Sequence, residues 1–326
     1  MNGAMLTRDG AERRLRGGTS HGLPRANSWV RGLAPVLALA LTPLGAQAQQ
    51  LEPRAYAPAP IGMNVLAVAA FYSGGRVLTD PTLPIENASA HVYSVAPIYG
   101  RTFDFFGRFA SLTLTVPYAW AVAHGDVQEV HRTADRSGLV DPYLRLAVNL
   151  IGVPALTRLA FRERRPQTTL GVSVTLAAPL GQYDASKLIN LGTNRWAFRT
   201  ELGLSQPVGK WDVELYTAAW FFTTNDDFYG GQVRKQDALA SFQFHLVYNF
   251  GPQLWAAGDF TYYEGGSTTI NDQPKNDRQA NARVGATLSI PVTSSQSLRL
   301  TAAQGALTRV GQNFTTVGVA WNLLWF

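Results

Sequence analysis

Leu239-Ala-Ser-Phe-Gln-Phe-His-Leu-Val-Tyr-Asn-Phe250 decides how this chain is to be read. Phe242, Phe244, Leu246, Tyr248 and Phe250 share one face of an extended segment, while Ser241, Gln243, His245 and Asn249 share the other. Side chains alternate sides along a strand, so the stretch is a strand with one apolar and one polar face. The pattern returns repeatedly. At 280–290, Ala282, Val284, Ala286, Leu288 and Ile290 oppose Asn281, Arg283, Thr287 and Ser289. At 195–205, Trp196, Phe198, Leu202 and Leu204 oppose Arg195, Arg199, Glu201 and Ser205. At 168–180, Leu170, Val172, Val174, Leu176 and Leu180 oppose Thr169, Ser173 and Thr175. At 140–150, Val140, Leu144, Leu146, Val148 and Leu150 oppose Asp141, Tyr143, Arg145 and Asn149.

Strands are expected near 61–73, 91–104, 109–122, 139–151, 167–180, 195–206, 211–223, 238–250, 254–264, 280–291, 297–305 and 314–326. Their length, about 9–14 residues, suits a tilted membrane strand better than the usual five or six. A soluble sandwich also alternates, but its solvated face would be rich in Lys, and these polar faces are not. Connections at 105–108, 207–210, 251–253 and 292–296 are short; those at 74–90, 123–138, 181–194, 224–237, 265–279 and 306–313 are longer and polar. Short turns alternating with longer loops mark an outer-membrane barrel with both termini periplasmic. The expected fold is therefore all-β, an up-and-down transmembrane antiparallel β-barrel of about 12 strands, with ten or fourteen as alternatives. One connection departs from the alternation: 152–166 is long and carries Arg158, Arg162, Arg164 and Arg165.

Composition agrees. The 326 residues are 46% hydrophobic and 15% charged, against about 25% charged in soluble domains. A mean hydropathy of -0.04 excludes a bundle of membrane helices, which needs several apolar runs of about 20 residues. The absence of cysteine excludes disulfides, thiolate metal sites and cysteine nucleophiles. Residues 1–48 read as a cleaved signal peptide: six arginines by Arg31, the apolar run Gly32–Leu41, and Ala46-Gln47-Ala48 as the cleavage site. Its loss removes six of 28 basic and two of 22 acidic residues. The remaining 22 and 20 leave a net charge of about +2, so the apparent basicity gives no support to a nucleic-acid partner. Residues 49–60 hold Pro53, Pro58 and Pro60 and cannot form a central strand. They are expected to be a loose periplasmic tail, with a partial plug as the alternative. The barrel is expected to span 61–326.

The tryptophans supply a second test of the membrane reading. Trp120 and Trp196 fall near long-loop ends and Trp211, Trp321 and Trp325 near short-turn ends, as two interfacial girdles require. Trp220 and Trp255 lie on the polar parity instead. Phe326 ends the chain as a terminal aromatic, like a barrel-assembly signal, although it is out of step with the apolar face by one residue.

On this parity the lumen receives Arg145, Arg195, Arg199, Glu201, Asp212, Glu214, His245, Asp259, Arg283 and Arg299. Opposed charges in a narrow passage can orient a solute and set ion preference; filling the barrel structurally is the competing role. Tyr216, Tyr263 and Trp220 share that face. An enzyme reading rests on His124, Asp126, Glu129 and His131, whose types could hold a divalent cation or supply a general base. A solvated loop is the commoner explanation, and no GxSxG, HExxH or GxxxxGK[ST] motif occurs. His245, pointing inward, is misplaced for a lipid-cleaving Ser–His pair. Asp226, Asp227 and Asp272 suit divalent ions among lipopolysaccharide heads.

Several segments also form a set: Ser137-Gly-Leu-Val-Asp-Pro-Tyr-Leu-Arg-Leu-Ala147, Ala178-Pro-Leu-Gly-Gln-Tyr-Asp184, Asn190-Leu-Gly-Thr-Asn-Arg-Trp-Ala-Phe198, Gly209-Lys-Trp-Asp212 and Thr224-Asn-Asp226. Their order resembles the outer-membrane transporter family of the MetA-pathway of phenol degradation, over about residues 55–326. The family's GxGD appears as Gly138-Leu-Val-Asp141, without the second glycine. The resemblance implies a barrel for uptake of aromatic or similar small organic compounds, and brings no catalytic residues with it. The expected function is thus a passive outer-membrane channel for small organic, phenol-like solutes. The alternatives are a barrel hydrolase and a structural or adhesive barrel. No cofactor is expected. The expected partners are outer-membrane lipid and lipopolysaccharide, the barrel-assembly machinery and a small-molecule solute.

Overall fold

The computed structural model describes residues 51–78, 85–127, 130–251 and 253–326. The expected signal peptide therefore lies outside the described residues, as do positions 49–50 and Glu129. The strands in chain order are β1 (Asn64–Leu78), β2 (Ile85–Phe105), β3 (Arg108–Thr115), β4 (Tyr118–Val127), β5 (Val130–Leu139), β6 (Tyr143–Ile151), β7 (Thr169–Ala177), β8 (Ala197–Val208) and β9 (Trp211–Phe222). They continue as β10 (Asn225–Phe228), β11 (Gln232–Gln236), β12 (Leu239–Gly251), β13 (Leu254–Gly265), β14 (Thr268–Ile270), β15 (Gln273–Pro274), β16 (Gln279–Pro291), β17 (Gln296–Leu307) and β18 (Gly311–Trp325).

The large sheet runs β1-β18-β17-β16-β13-β12-β9-β8-β7-β6-β3-β2-β4-β5, and β1 also pairs with β2, which closes it. β3 with β4, and β5 with β6, are single barrel strands interrupted in the middle. The barrel thus has 12 antiparallel strands, matching the count read from alternation. Closure gives each wall strand two neighbours, except that above the break β5 pairs with β4 alone; a bilayer interior demands such pairing because it offers backbone N–H and C=O groups no water. No helix among the described residues is long and apolar enough to cross a membrane; the strands do so.

The interruptions have a chemical cause. Proline lacks the N–H that a ladder needs. Pro97, Pro117 and Pro142 fall at one level of three adjacent wall strands. There β2 changes partner, from β4 (Val95↔Tyr118) to β3 (Ile98↔Thr115). Val116 N–H donates to Pro97 O at 3.1 Å and Val140 N–H to Pro117 O at 2.9 Å, which maintains the contact across the break. This corrects two expectations for 139–151. The strand is not continuous, and Val140, assigned to the outer face, is buried inside.

Above the break the wall continues beyond the expected strands. Positions 74–90 and 123–138 were expected as loops, but β1 reaches Leu78, β2 begins at Ile85, and β4 and β5 run to Val127 and from Val130. The inner face of this ribbon is small and apolar: Ala88, Ala90, Val92, Ala119, Ala121 and Ala123 pack with Ile189, Leu191 and Phe314. Covering that face is what sustains pairing beyond the proline break. Similarly, 224–237 and 265–279 are not plain loops but make a four-stranded sheet, β10-β11-β14-β15. The irregular 152–166 connection contains a single helical turn, Arg158–Arg162, whose N-cap is Thr157.

Outside, the belt is apolar. Phe198, Leu202, Leu204, Phe242, Leu246, Val317 and Val319 are all exposed. Trp120, Trp196, Trp211 and Trp325 are 48%, 43%, 43% and 41% exposed, and Trp321 pairs across with outward Leu298. Trp120 packs on Tyr118 (4.7 Å) and Trp211 on Tyr248 (4.7 Å), so the girdles are built of neighbouring aromatics.

Candidate functional site

Inward parity places ten ionisable groups inside the barrel, all at positions where the alternation put them. Arg195, Arg199, Glu201, Glu214, His245, Asp259 and Arg283 are buried. Arg145 and Asp212 have side chains 14% and 20% exposed. Arg299 lines a cavity at the end of the barrel that holds the short turns.

What brings them together is a segment that the expectation of a loose tail left outside. Residues 51–60 enter the lumen. Tyr56 is 2% exposed; its hydroxyl donates to Glu201 Oε1 at 3.0 Å and accepts from Ser173 Oγ at 3.1 Å. Asn149 Nδ2 donates to Tyr56 O at 3.1 Å. Arg145 stands over the Tyr56 ring at 5.1 Å and reaches Glu201 Oε1 at 3.3 Å. Arg199 pairs with Glu201 Oε2 and lies 3.7 Å from Glu52. Glu201 therefore meets two guanidinium groups and one phenol, as a carboxylate this deeply placed requires.

A second cluster holds the same segment. Arg54 N–H donates to Glu214 Oε2 at 2.7 Å, and Tyr216 Oη donates to that oxygen at 2.8 Å. The Arg54 guanidinium donates to Asn249 Oδ1 at 2.5 Å and lies 3.7 Å from Asp212. The physical reason for entry is polar: a three-proline segment cannot add to the wall, while its own backbone and side chains satisfy lumen charges otherwise costly to bury. The alternation missed it because the segment has no period. A signal was present nonetheless, in glycines on the inward parity. A Cβ on Gly171 would stand 2.1 Å from Tyr56 Cδ1, and one on Gly285 2.3 Å from Leu51 Cδ1.

Independently of the segment, His245 Nδ1 and Asp259 Oδ1 lie 2.6 Å apart, and Thr287 Oγ1 donates to Asp259 Oδ2 at 2.9 Å. His245 is fully buried inside the barrel.

The motifs that carried the family resemblance meet at the other mouth. Asp141 Oδ1 accepts from Gly181 N at 2.9 Å, and Oδ2 accepts from Thr193 N at 2.8 Å and Thr193 Oγ1 at 2.6 Å. Asn225 Nδ2 donates to Tyr183 Oη at 3.0 Å and to Thr193 O at 3.1 Å. Asn194 Nδ2 donates to Asn225 Oδ1 at 3.0 Å. One carboxylate at the wall break thus folds the 178–196 connection inward. Arg195, carried on it, donates to Gln236 and rests 4.4 Å from the Phe222 ring centre.

The His-bearing segment is a hairpin on the outer face. His131 Nδ1 lies 2.9 Å from Asp126 Oδ1, Asn87 Nδ2 donates to Asp126 Oδ2 at 2.8 Å, and His124 Nδ1 lies 3.1 Å from Thr133 Oγ1. The Asn87 amide, then His131, hold the Asp126 carboxyl below its ordinary range. Among the described residues no group of three His, Cys, Asp or Glu is placed to hold a metal ion. Asp272 accepts from Lys235 Nζ at 2.7 Å, a hydrogen bond that raises the Lys235 ammonium above its ordinary value. Asp226 and Asp227 sit on β10.

A closed 12-stranded wall, apolar outside and charged inside around an inserted segment, defines the class: an outer-membrane-type transmembrane β-barrel. Within that class, the family described as the MetA-pathway of phenol degradation matches residues 75–323, and the chain belongs to it. The crystal structure of the COG4313 outer membrane channel from Pseudomonas putida F1 is similar with a TM-score of 0.72 at 20% identity, covering 85% of this chain and 100% of that one. The β domain of the Bordetella autotransporter BrkA follows at TM-score 0.46 and 8% identity, covering 79% and 98%. The CymD monoaromatic hydrocarbon channel gives TM-score 0.39 and 8% identity, covering 87% and 93%. The first likeness speaks to the fold; the other two carry no further argument. No curated protein sequence matches the chain.

Proposed function

We propose that this protein is an outer-membrane channel through which small organic solutes, phenol-like aromatics among them, diffuse along a narrow charged lumen. The observation that carries the reading is the inner wall: Arg145, Arg199 and Glu201 around Tyr56, and Asp212 and Glu214 around Arg54, form a polar lining across the bilayer core. Such a lining is costly unless it has a task beyond filling space. Membership of a family named for phenol degradation supports the solute class. The COG4313 outer membrane channel, similar in fold, is in keeping with a channel role. The inserted segment favours a gated passage over a permanently open pore.

The outer girdles contact lipid and the exposed loop acids contact lipopolysaccharide. Phe326 serves the barrel-assembly machinery as the terminal aromatic. Residues 1–48 are the cleaved export signal. The hydrolase alternative loses ground because His245 is inside and paired with Asp259.

Liposome swelling with phenol-sized solutes tests transport. Proteoliposomes are expected to swell faster than protein-free ones, and equal rates overturn the reading. Arg145→Ala tests the lumen charges. It is expected to change conductance and cation/anion preference in planar bilayers; if neither moves, those charges are structural.

A further inference from the structure

At the short-turn mouth of the barrel lies a cavity of about 500 Å³, a size within the range of small-molecule sites. Its lining includes Arg54 and Arg299 and no acidic residue. Both guanidinium carbons lie 5.5 Å from the ring centre of Trp255. Two cations gathered about one ring repel each other, and the repulsion is relieved by an anion placed between them. Arg54 is already engaged, by Asp212 at 3.7 Å and Asn249 at 2.5 Å. Arg299 is different: among the described residues it has no carboxylate in ion-pairing range, and Glu52 and Asp259 act on it only from farther away. The planar fork of a guanidinium matches a carboxylate with two parallel hydrogen bonds. Val65 and Leu324 supply an apolar side to the same cavity, and Asn322 a polar edge.

We infer that this vestibule binds a small organic carboxylate, its charged end on Arg299 beside Arg54 and its apolar body against Val65 and Leu324. The channel proposal leaves the charge of the solute open; this assigns an anionic, partly apolar ligand class to one mouth. It rests on the channel reading for its purpose, as an exit or entry subsite, but not for its existence.

Calorimetric titration of the full barrel in detergent with sodium benzoate tests it, with benzyl alcohol, sodium acetate and sodium chloride as the comparison probes. Saturable benzoate binding is expected, at least about tenfold tighter than that of benzyl alcohol, because a charge-assisted contact to Arg299 is available only to the carboxylate. Arg299→Gln is expected to weaken it by about tenfold or more, and Arg299→Lys by less. Ser289→Asp, which adds a negative charge to the lining and leaves both arginines in place, is expected to weaken it also. It keeps the test decisive if Arg299→Gln does not fold. Benzyl alcohol binding as tightly as benzoate overturns the inference. So does acetate or chloride matching benzoate, which would make the site a simple anion site, and so does benzoate affinity indifferent to both substitutions. Benzoate binding without any solute flux in liposomes sinks the channel reading and leaves the site standing. Flux without binding does the reverse.

Discussion

A Cβ on Gly203 would stand 2.2 Å from Cε2 of the Tyr56 ring, so the tyrosine occupies room that only a glycine leaves in the wall. Gly203 pairs across the ladder with Gly171, which abuts the other edge of the same ring. Glycine weakens a strand interior, and here the pair makes a socket.

Gly203→Val is therefore expected to drive Tyr56 out of its socket while the wall still forms, because valine favours strands. Single-channel conductance should rise, and trypsin should cleave after Arg54, which the folded barrel shields. Unchanged conductance together with an intact Arg54–Ala55 bond would show that the socket does not hold the segment.

Asp141→Ala removes three hydrogen bonds to Gly181 and Thr193. Bonds to a charged acceptor are worth about 1.5–3 kcal/mol each, so the 178–196 connection should detach from the mouth. Limited proteolysis after Lys187 is the readout. A cleavage rate equal to that of the unaltered protein contradicts the clamp.

Leu246 faces outward near the middle of β12. Leu246→Arg should cost about 2–4 kcal/mol in a bilayer, as a cation at the midplane of a barrel does. Urea titration in lipid vesicles measures it. A loss under about 0.5 kcal/mol would be the behaviour of a water-facing position and would count against the membrane orientation.

The Asp126 carboxyl is held below its ordinary value of 3.8 by Asn87 and then His131. A carboxyl depressed in the folded state lends support above its unfolded pKa and loses it as pH falls through the lower folded value. The hairpin contact should accordingly persist through pH 3.8 and break only in stronger acid. Carboxyl NMR titration checks this, and Asn87→Ala should move the midpoint upward. A midpoint at or above 3.8 in the unaltered protein would falsify the assignment.

The motif set illustrates how far a linear reading reaches. Gly138-Leu-Val-Asp141, Gly181, Thr193 and Asn225 were legible as a family-like series, yet nothing in their spacing says that the Asp141 carboxylate gathers Gly181 and Thr193, with Asn225 joined through Thr193 O. Asp141 was assigned to a regular polar face, whereas it sits in a proline-induced break and turns its oxygens toward a connection about 40–52 residues away. The extended ribbon was missed for a related reason. Its alanine-rich inner face carries too weak a contrast to register as alternation, and only Ile189, Leu191 and Phe314 packed against it explain why it pairs.

The all-β barrel class, a count of about 12 strands and the inward parity of the residues from Arg145 to Arg299 were legible in the sequence alone. Alternation is a local property of the backbone, and closure in lipid leaves that pattern few other solutions. The filling of the lumen was decided only by tertiary structure. Tyr56 and Arg54 meet Asn149 and Asn249 across 93 and 195 residues, and three prolines leave residues 51–60 without any period of their own. Where such a segment rests depends on charges and glycine gaps that exist together only once the wall has closed.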